Sequence, residues 1–267
     1  MSNSLAFEYN NERHELQLPE SLAEMTGEQL VAAVRLMDGD DGDPLRIVCG
    51  MPEDAFAALS DFQRFMIMDS FGWLDHLDMS SLSFKGWKIP SIDVDGEVWY
   101  GPTSNFGNIT WGEFVYADQC MIQGFHRAAV AALFRPQRKD YDGETDRRIP
   151  FTTYGTTGRF GKLSVLDEAL QVAILLNYRA MRAASLESVY TEIFPYHDLS
   201  TSDDDGPNDN PPEPEEQPSQ FSWTNIHRNL LGDHIQDEDK FLQLPVHTVL
   251  YRLNTLIKDS KKKKSNG

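Results

Sequence analysis

The chain has 267 residues, 40% hydrophobic and 11% aromatic, with a formal net charge of −18. That is enough apolar material for one substantial core, and the charge excludes a nucleic-acid-wrapping protein, whose phosphate-binding surface needs a basic field. Cys49 and Cys120 lie in no CxxC or Cys/His spacing, no signal peptide precedes them, and no apolar run approaches the roughly 18 residues of a membrane span, so they read as reduced thiols of a soluble cytosolic protein.

Leu5 to Leu18 mixes polar and apolar residues as a strand does, and Pro19 stops it. Ser21 with Glu24, or Thr26 with Gln29, offers a helix N-cap, and Leu30, Val31, Val34, Leu36 and Met37 mark an amphipathic helix that ends in the Gly/Asp turn Asp38 to Pro44. A short helix over Leu45 to Met51 meets Gly50 and Pro52. Phe56, Leu59, Phe62, Phe65 and Met66 then recur at spacings of three and four, predicting one helix to about Trp73. Ile92 to Val94 and Glu97 to Tyr100 flank Asp95-Gly96, the signal of a two-residue type I′ hairpin.

A second helical set starts at Thr110, with Glu113 three positions on, and runs past Gly124 to Phe134, where Arg135-Pro136 ends it. Residues 137–159 are charged and turn-rich and predict a long loop. Gly155 to Lys162 resembles a phosphate loop only superficially, because five residues separate Gly155 from Gly161 and Leu163 follows Lys162; a plain loop is the reading. Ser164 to Asp167 caps a helix built on Ala169, Leu170, Val172, Ala173 and Leu176, with a shorter continuation over Leu186 to Phe194.

Asp198 to Pro218 divides the chain. These residues hold eight carboxylates and five prolines and no aliphatic residue beyond Leu199, too little apolar surface to offset the entropy of ordering, so they read as a solvated linker. A random coil of this length spans roughly 25 Å. Residues 1–218 carry 16 Lys+Arg against 37 Asp+Glu, whereas residues 219–267 carry 8 against 5, so an acidic body is joined to a mildly basic module. In that module Phe221, Trp223, Ile226, Leu230 and Leu231 are helically spaced and Gly232 stops them; Val246, Val249, Leu250, Leu253 and Ile257 form a last helix after Pro245. A helical pair this small is not stable alone and must dock, on its own body or on another protein.

The fold class that follows is mainly α: a helical body over 1–197 with a small β-hairpin, the linker 198–218, a tethered helical hairpin over 219–260 and a basic disordered tail over 261–267. Trp223, Ile226, Leu230, Val249 and Leu253 are the candidate partner-binding residues, with Trp223 either the hairpin's core anchor or a hot spot for a partner.

No catalytic, metal or cofactor residue is assigned. Asp93 and Asp95 suggest a calcium loop, but Pro102 stands where its closing glutamate belongs. The seven histidines form no HExxH or i, i+4 pair, and no GxSxG elbow occurs, so the reading is non-enzymatic.

Four stretches, in order, resemble tail-assembly proteins of tailed bacteriophages and prophages, especially those of Bacteroidetes hosts. They are Leu18 to Leu30 (LPESLAEMTGEQL), Trp111 to Asp118 (WGEFVYAD), Ala129 to Pro136 (AVAALFRP), and the pair Trp223 to Gly232 and Leu244 to Leu253. Leu22 stands where the family pattern has tryptophan. The resemblance covers about half of the chain and implies a mostly helical tail-assembly chaperone or adaptor without catalysis. Its partner would be the tape-measure protein or another tail component, held soluble in the bacterial host cytoplasm, with no nucleic acid and no membrane involved. The alternative it implies is a virion component such as a neck, connector or tail-completion protein; an oligomer is compatible with either. The client groove would draw on the helix from Leu30, the helix from Phe56 to Phe71, and the hairpin around Trp223.

Overall fold

The computed structural model describes residues 4–9, 12–40, 42–76, 82, 84, 86–144, 146–194, 223–232 and 235–265. The linker expected over 198–218 and Phe221 lie outside them. The fold is mainly α with small antiparallel sheets.

The N-terminal segment is a β-hairpin of its own, β1 (Ser4–Tyr9) and β2 (Glu12–Gln17), which puts Phe7 into the core. α1 (Gly27–Met37) starts at Thr26, whose hydroxyl accepts from Gln29 N–H while Gln29 Oε1 accepts from Thr26 N–H, so the second of the two expected caps is the one used. α2 (Asp43–Cys49) packs on α1 and ends at Gly50 in the left-handed conformation.

The single helix expected from Phe56 to Trp73 is three pieces: α3 (Glu53–Ala57), α4 (Asp61–Ser70) and a 3₁₀ turn, Gly72–His76. Ser60 breaks it by forming a new capping box with Gln63.

β3 (Ser91–Val94) and β4 (Glu97–Tyr100) pair through Asp95 and Gly96, at φ of 54° and 82°, the two positive values a type I′ turn requires. Asp93 Oδ1 accepts from Gly96 N–H at 2.8 Å, so this carboxylate serves the turn.

α5 (Trp111–Ile122) and α6 (His126–Leu133) form the central pair, and β5 (Arg135–Pro136) then joins β4. Two segments read as loop are more ordered than expected. Pro136 to Arg138 and Arg147 to Ile149 lie antiparallel, with Arg138 N–H donating to Arg147 O at 2.7 Å and Ile149 N–H to Pro136 O at 3.0 Å. Thr153–Phe160 is a helix, α7, capped by Thr152, and takes in most of the glycine-rich stretch.

α8 (Glu168–Arg182) is capped by Asp167, which also pairs with Arg35 of α1, and packs on α1 and α6. The continuation expected over Leu186 to Phe194 is a π-helical turn, Ala183–Glu187, followed by non-helical turns.

Among the described residues the C-terminal module has three α-helices, α9 (Trp223–Leu231), α10 (Glu238–Leu242) and α11 (Val246–Ser265), with a 3₁₀ turn, Ile235–Asp237, leading into α10. It docks on its own body. Trp223, Val246, Val249 and Leu250 belong to the same apolar core as α1, α5, α6 and α8. The seam is closed by main chain: Trp111 N–H, unpaired within α5 as a first-turn donor, donates to Leu244 O at 2.7 Å, and Val246 N–H donates to Ile109 O at 3.0 Å. Gly112 permits this contact, since a Cβ there would lie 3.0 Å from Leu242 Cβ and 3.1 Å from Leu242 O. Lys261 to Lys264, expected in a disordered tail, continue α11, and Lys261 reaches Glu192 at 2.8 Å. Among the described residues no helix is long and apolar enough to cross a membrane.

Candidate functional site

The five residues assigned to partner binding from sequence form the seam between the module and the body. Trp223 is 1% exposed and sits edge-on to Trp111 and Phe114, with ring centroids 5.5 and 4.9 Å away. Its indole N–H donates to Asp118 Oδ2 at 2.7 Å. Val249 is buried, and Ile226, Leu230 and Leu253 are half-buried against the same core. Of the two readings of Trp223, the buried ring is the core anchor, and no partner can reach it while the module is docked. Trp111 in turn donates its indole N–H to His227 Nδ1 at 3.1 Å, which leaves Nε2 to carry the proton toward Glu238 Oε1 at 3.1 Å.

Two buried polar clusters flank α5, neither visible in the sequence. In the first, Asp118 accepts from Trp223, from Tyr178 Oη at 3.3 Å, and pairs with Arg182 Nη1 at 3.4 Å. Burial pushes the Asp118 carboxyl up, against the opposing pull of the Arg182 charge and of the Trp223 and Tyr178 hydrogen bonds. A cleft of about 330 Å³ opens beside it between α5 and the end of α8, with Met121, Ile122, Arg179 and Glu187 on its walls. The carboxylate at its floor is committed to three donors from the protein, which makes it a structural acceptor.

In the second, Glu113 receives Arg148 Nη1 at 2.6 Å and Arg135 Nη1 at 3.0 Å, all three residues being essentially inaccessible. Arg148 also donates to Leu133 O, Asn108 O and both oxygens of Asp146, so one guanidinium ties together four segments. Burial would lower the Arg148 guanidinium, but Glu113 and Asp146 more than reverse this; burial does lower Arg135, and it brings Arg159 down to about 10. Both Glu113 oxygens face arginine away from solvent, while the half-buried Asp146 accepts from Arg148 and from Asn108 Nδ2, an arrangement suited to fixing loops. The sequence signal was Glu113 three residues after Thr110. That spacing predicts a capping box, yet only Thr110 caps, accepting from Glu113 N–H at 3.2 Å, while the Glu113 side chain turns inward.

A different surface is open. On α4, Phe62 is 71% exposed, Phe65 64% and Met66 50%, and only Ile67 of this helix is buried. At 3.6 residues per turn the three exposed side chains share one face, and Ile67 lies on the opposite side. Surface phenylalanines scattered singly need no explanation, whereas Phe62, Phe65 and Met66 make one contiguous exposed apolar stripe on a short helix. Its spacing was noted in the sequence, where the Phe56 to Phe71 helix is one of three elements named for a client groove.

Among the described residues no three His, Cys, Asp or Glu side chains are grouped to hold a metal ion. Comparison of the chain with protein-family models, with curated proteins and with solved structures finds no match.

Proposed function

We propose that this protein is a non-enzymatic adaptor that docks an apolar helical client on the outer face of α4, acting as a tail-assembly chaperone of a bacteriophage or prophage. The observation that carries the reading is the stripe Phe62, Phe65 and Met66 on a helix whose opposite side alone is buried. A helix laid along such a stripe covers apolar surface that both partners otherwise expose, the helix-in-groove mode of recognition. The net charge of −18 keeps such a complex soluble. The phage assignment rests on the order of the four resembling stretches.

The test is co-expression with the tape-measure protein of the phage carrying this sequence, as the parent chain and as F62S/F65S. The reading expects the client in the soluble fraction with the parent and in the pellet with the variant. A client equally soluble with either chain, or insoluble with both, refutes it. Finding the protein as a stoichiometric part of purified virions would move the assignment to a neck, connector or tail-completion component.

A further inference from the structure

The face of α4 carries information about its partner's charge as well as its shape. Between Glu53 and Asp75 the chain has five carboxylates and one arginine. That arginine, Arg64, is turned away from the partner: its guanidinium lies 5.1 Å from the Phe56 ring centroid and donates to Phe56 O and Ala57 O, both at 3.3 Å. Asp61 opens α4, and Asp69, three residues beyond Met66 and four beyond Phe65, closes the exposed stripe. Both are exposed.

Asp69 is in a position the helix itself disfavours. The carboxyl end of a helix carries partial negative charge, and the last turn of α4 holds no basic residue to answer it. The Asp69 carboxylate, exposed beside the uncovered apolar stripe and unanswered by any basic residue of the last turn, is free to meet a cation carried by a partner.

We infer that α4 selects a basic amphipathic helix, with an apolar i, i+3, i+4 face to cover Phe62, Phe65 and Met66 and with Lys or Arg at both ends of that face to meet Asp61 and Asp69. The two carboxylates are eight residues apart, about 12 Å along the axis at 1.5 Å per residue, so the partner's cations stand about two turns apart. This inference rests on the reading of α4 as a docking face. It adds that the client is chosen by charge: an acidic amphipathic helix with an identical apolar face is rejected, because its carboxylates would meet Asp61 and Asp69.

The experiment uses two fluorescent synthetic helical peptides with the same leucine stripe, one flanked by lysine pairs two turns apart and the other by glutamates. Binding to the full chain is read by anisotropy at low salt and at about 1 M salt, where the screening length falls to about 3 Å. The lysine peptide should bind at least about tenfold tighter at low salt, equivalent to about 1.4 kcal/mol. That preference should shrink at high salt and vanish in D61N/D69N, and F62S/F65S should lose both peptides. Because all four substituted side chains are exposed, the variants should keep the parent's circular dichroism and melting temperature.

Equal binding of the two peptides overturns the charge selection and leaves the docking face standing. Binding of neither overturns the docking face with it. Lysine-peptide binding that persists in F62S/F65S also overturns the inference, since it would reflect attraction to the acidic chain at large.

Discussion

Replacing Trp223 by alanine tests the docking of the C-terminal module most directly. The ring is 1% exposed and meets Trp111, Phe114 and Phe194 at centroid distances of 5.5, 4.9 and 5.8 Å. Truncating a buried aromatic of this kind costs about 3–5 kcal/mol in lost transfer and in the cavity left behind. The indole N–H also donates to the buried Asp118 carboxylate, and a hydrogen bond to a charged acceptor contributes about 1.5–3 kcal/mol. The two effects share one site and do not simply add, so a loss of about 5 kcal/mol is expected, a large share of the roughly 5–15 kcal/mol available to a domain. Urea unfolding followed by far-ultraviolet circular dichroism reads the change. A double-mutant cycle of W223F with D118N isolates the hydrogen bond, which should appear as a coupling of about 1–2 kcal/mol. If W223A shifts stability by less than about 1 kcal/mol, the module is not part of the core and the packing described around α5 is wrong.

Three further expectations rest on other contacts. Gly112→Val should destabilise by about 1–3 kcal/mol, because its Cβ meets Leu242 Cβ and the immovable Leu242 carbonyl, whereas Gly112→Ala regains helix propensity and should cost less; equal, negligible effects would mean that α10 does not sit on α5. Burial pushes the Asp146 carboxyl up, but the hydrogen bonds and charge of Arg148 more than reverse it and leave it below its ordinary value, so its stabilisation is present above about pH 4 and lost as pH falls through the depressed value. Asp146→Asn should therefore flatten the acid limb of the urea midpoint measured from about pH 6 to about pH 3, and an unchanged acid limb would contradict the ion pair. Burial holds the Cys49 thiol up at about 12 and also raises Cys120, so a disulfide thiol reagent at about pH 8 should react with neither in the native protein and with both after unfolding; fast native reaction would refute the burial.

Features set by residues adjacent in the chain were legible in advance. The Thr26 cap, the Asp95-Gly96 turn and the stop at Gly232 each depend on a few neighbouring dihedrals, and each stands where the sequence placed it. The break at Ser60 carried the same kind of signal, a serine followed three residues later by glutamine, but the apolar spacing running across it was the louder pattern. α7 had no such signal: eight residues containing three threonines and two glycines have poor helix propensity. Its stability comes from elsewhere, from packing on α6 and from the burial of Thr156 and Arg159. The Glu113, Arg135 and Arg148 cluster was out of reach for a related reason. Its members are up to 35 residues apart, and nothing local distinguishes a charge that will be buried from one that will stay in water.

Of the helices named for a client groove, one is covered and one is open for a reason that can be stated physically. α4 and α9 both carry apolar residues at helical spacing, and periodicity establishes only that a stripe exists. Whether it is core or interface depends on whether another element of the chain covers it, a long-range fact. The stripe of α9 meets an aromatic wall supplied by Trp111 and Phe114, with Asp118 placed to accept the indole proton, so its hydrogen bond and its apolar area are both satisfied within the chain. Among the described residues the stripe of α4 meets no such wall: Ile67 is buried and Met68 half-buried on the core side, and Phe62, Phe65 and Met66 face solvent. Water-exposed aromatic surface is unfavourable at about 25 cal/mol per Å², so covering Phe62 and Phe65 by a partner is favourable before any polar contact is counted. The module that looked like a tethered hand is therefore packed on the body, and of the helices named for a client groove, α4 is the one whose apolar stripe stays exposed.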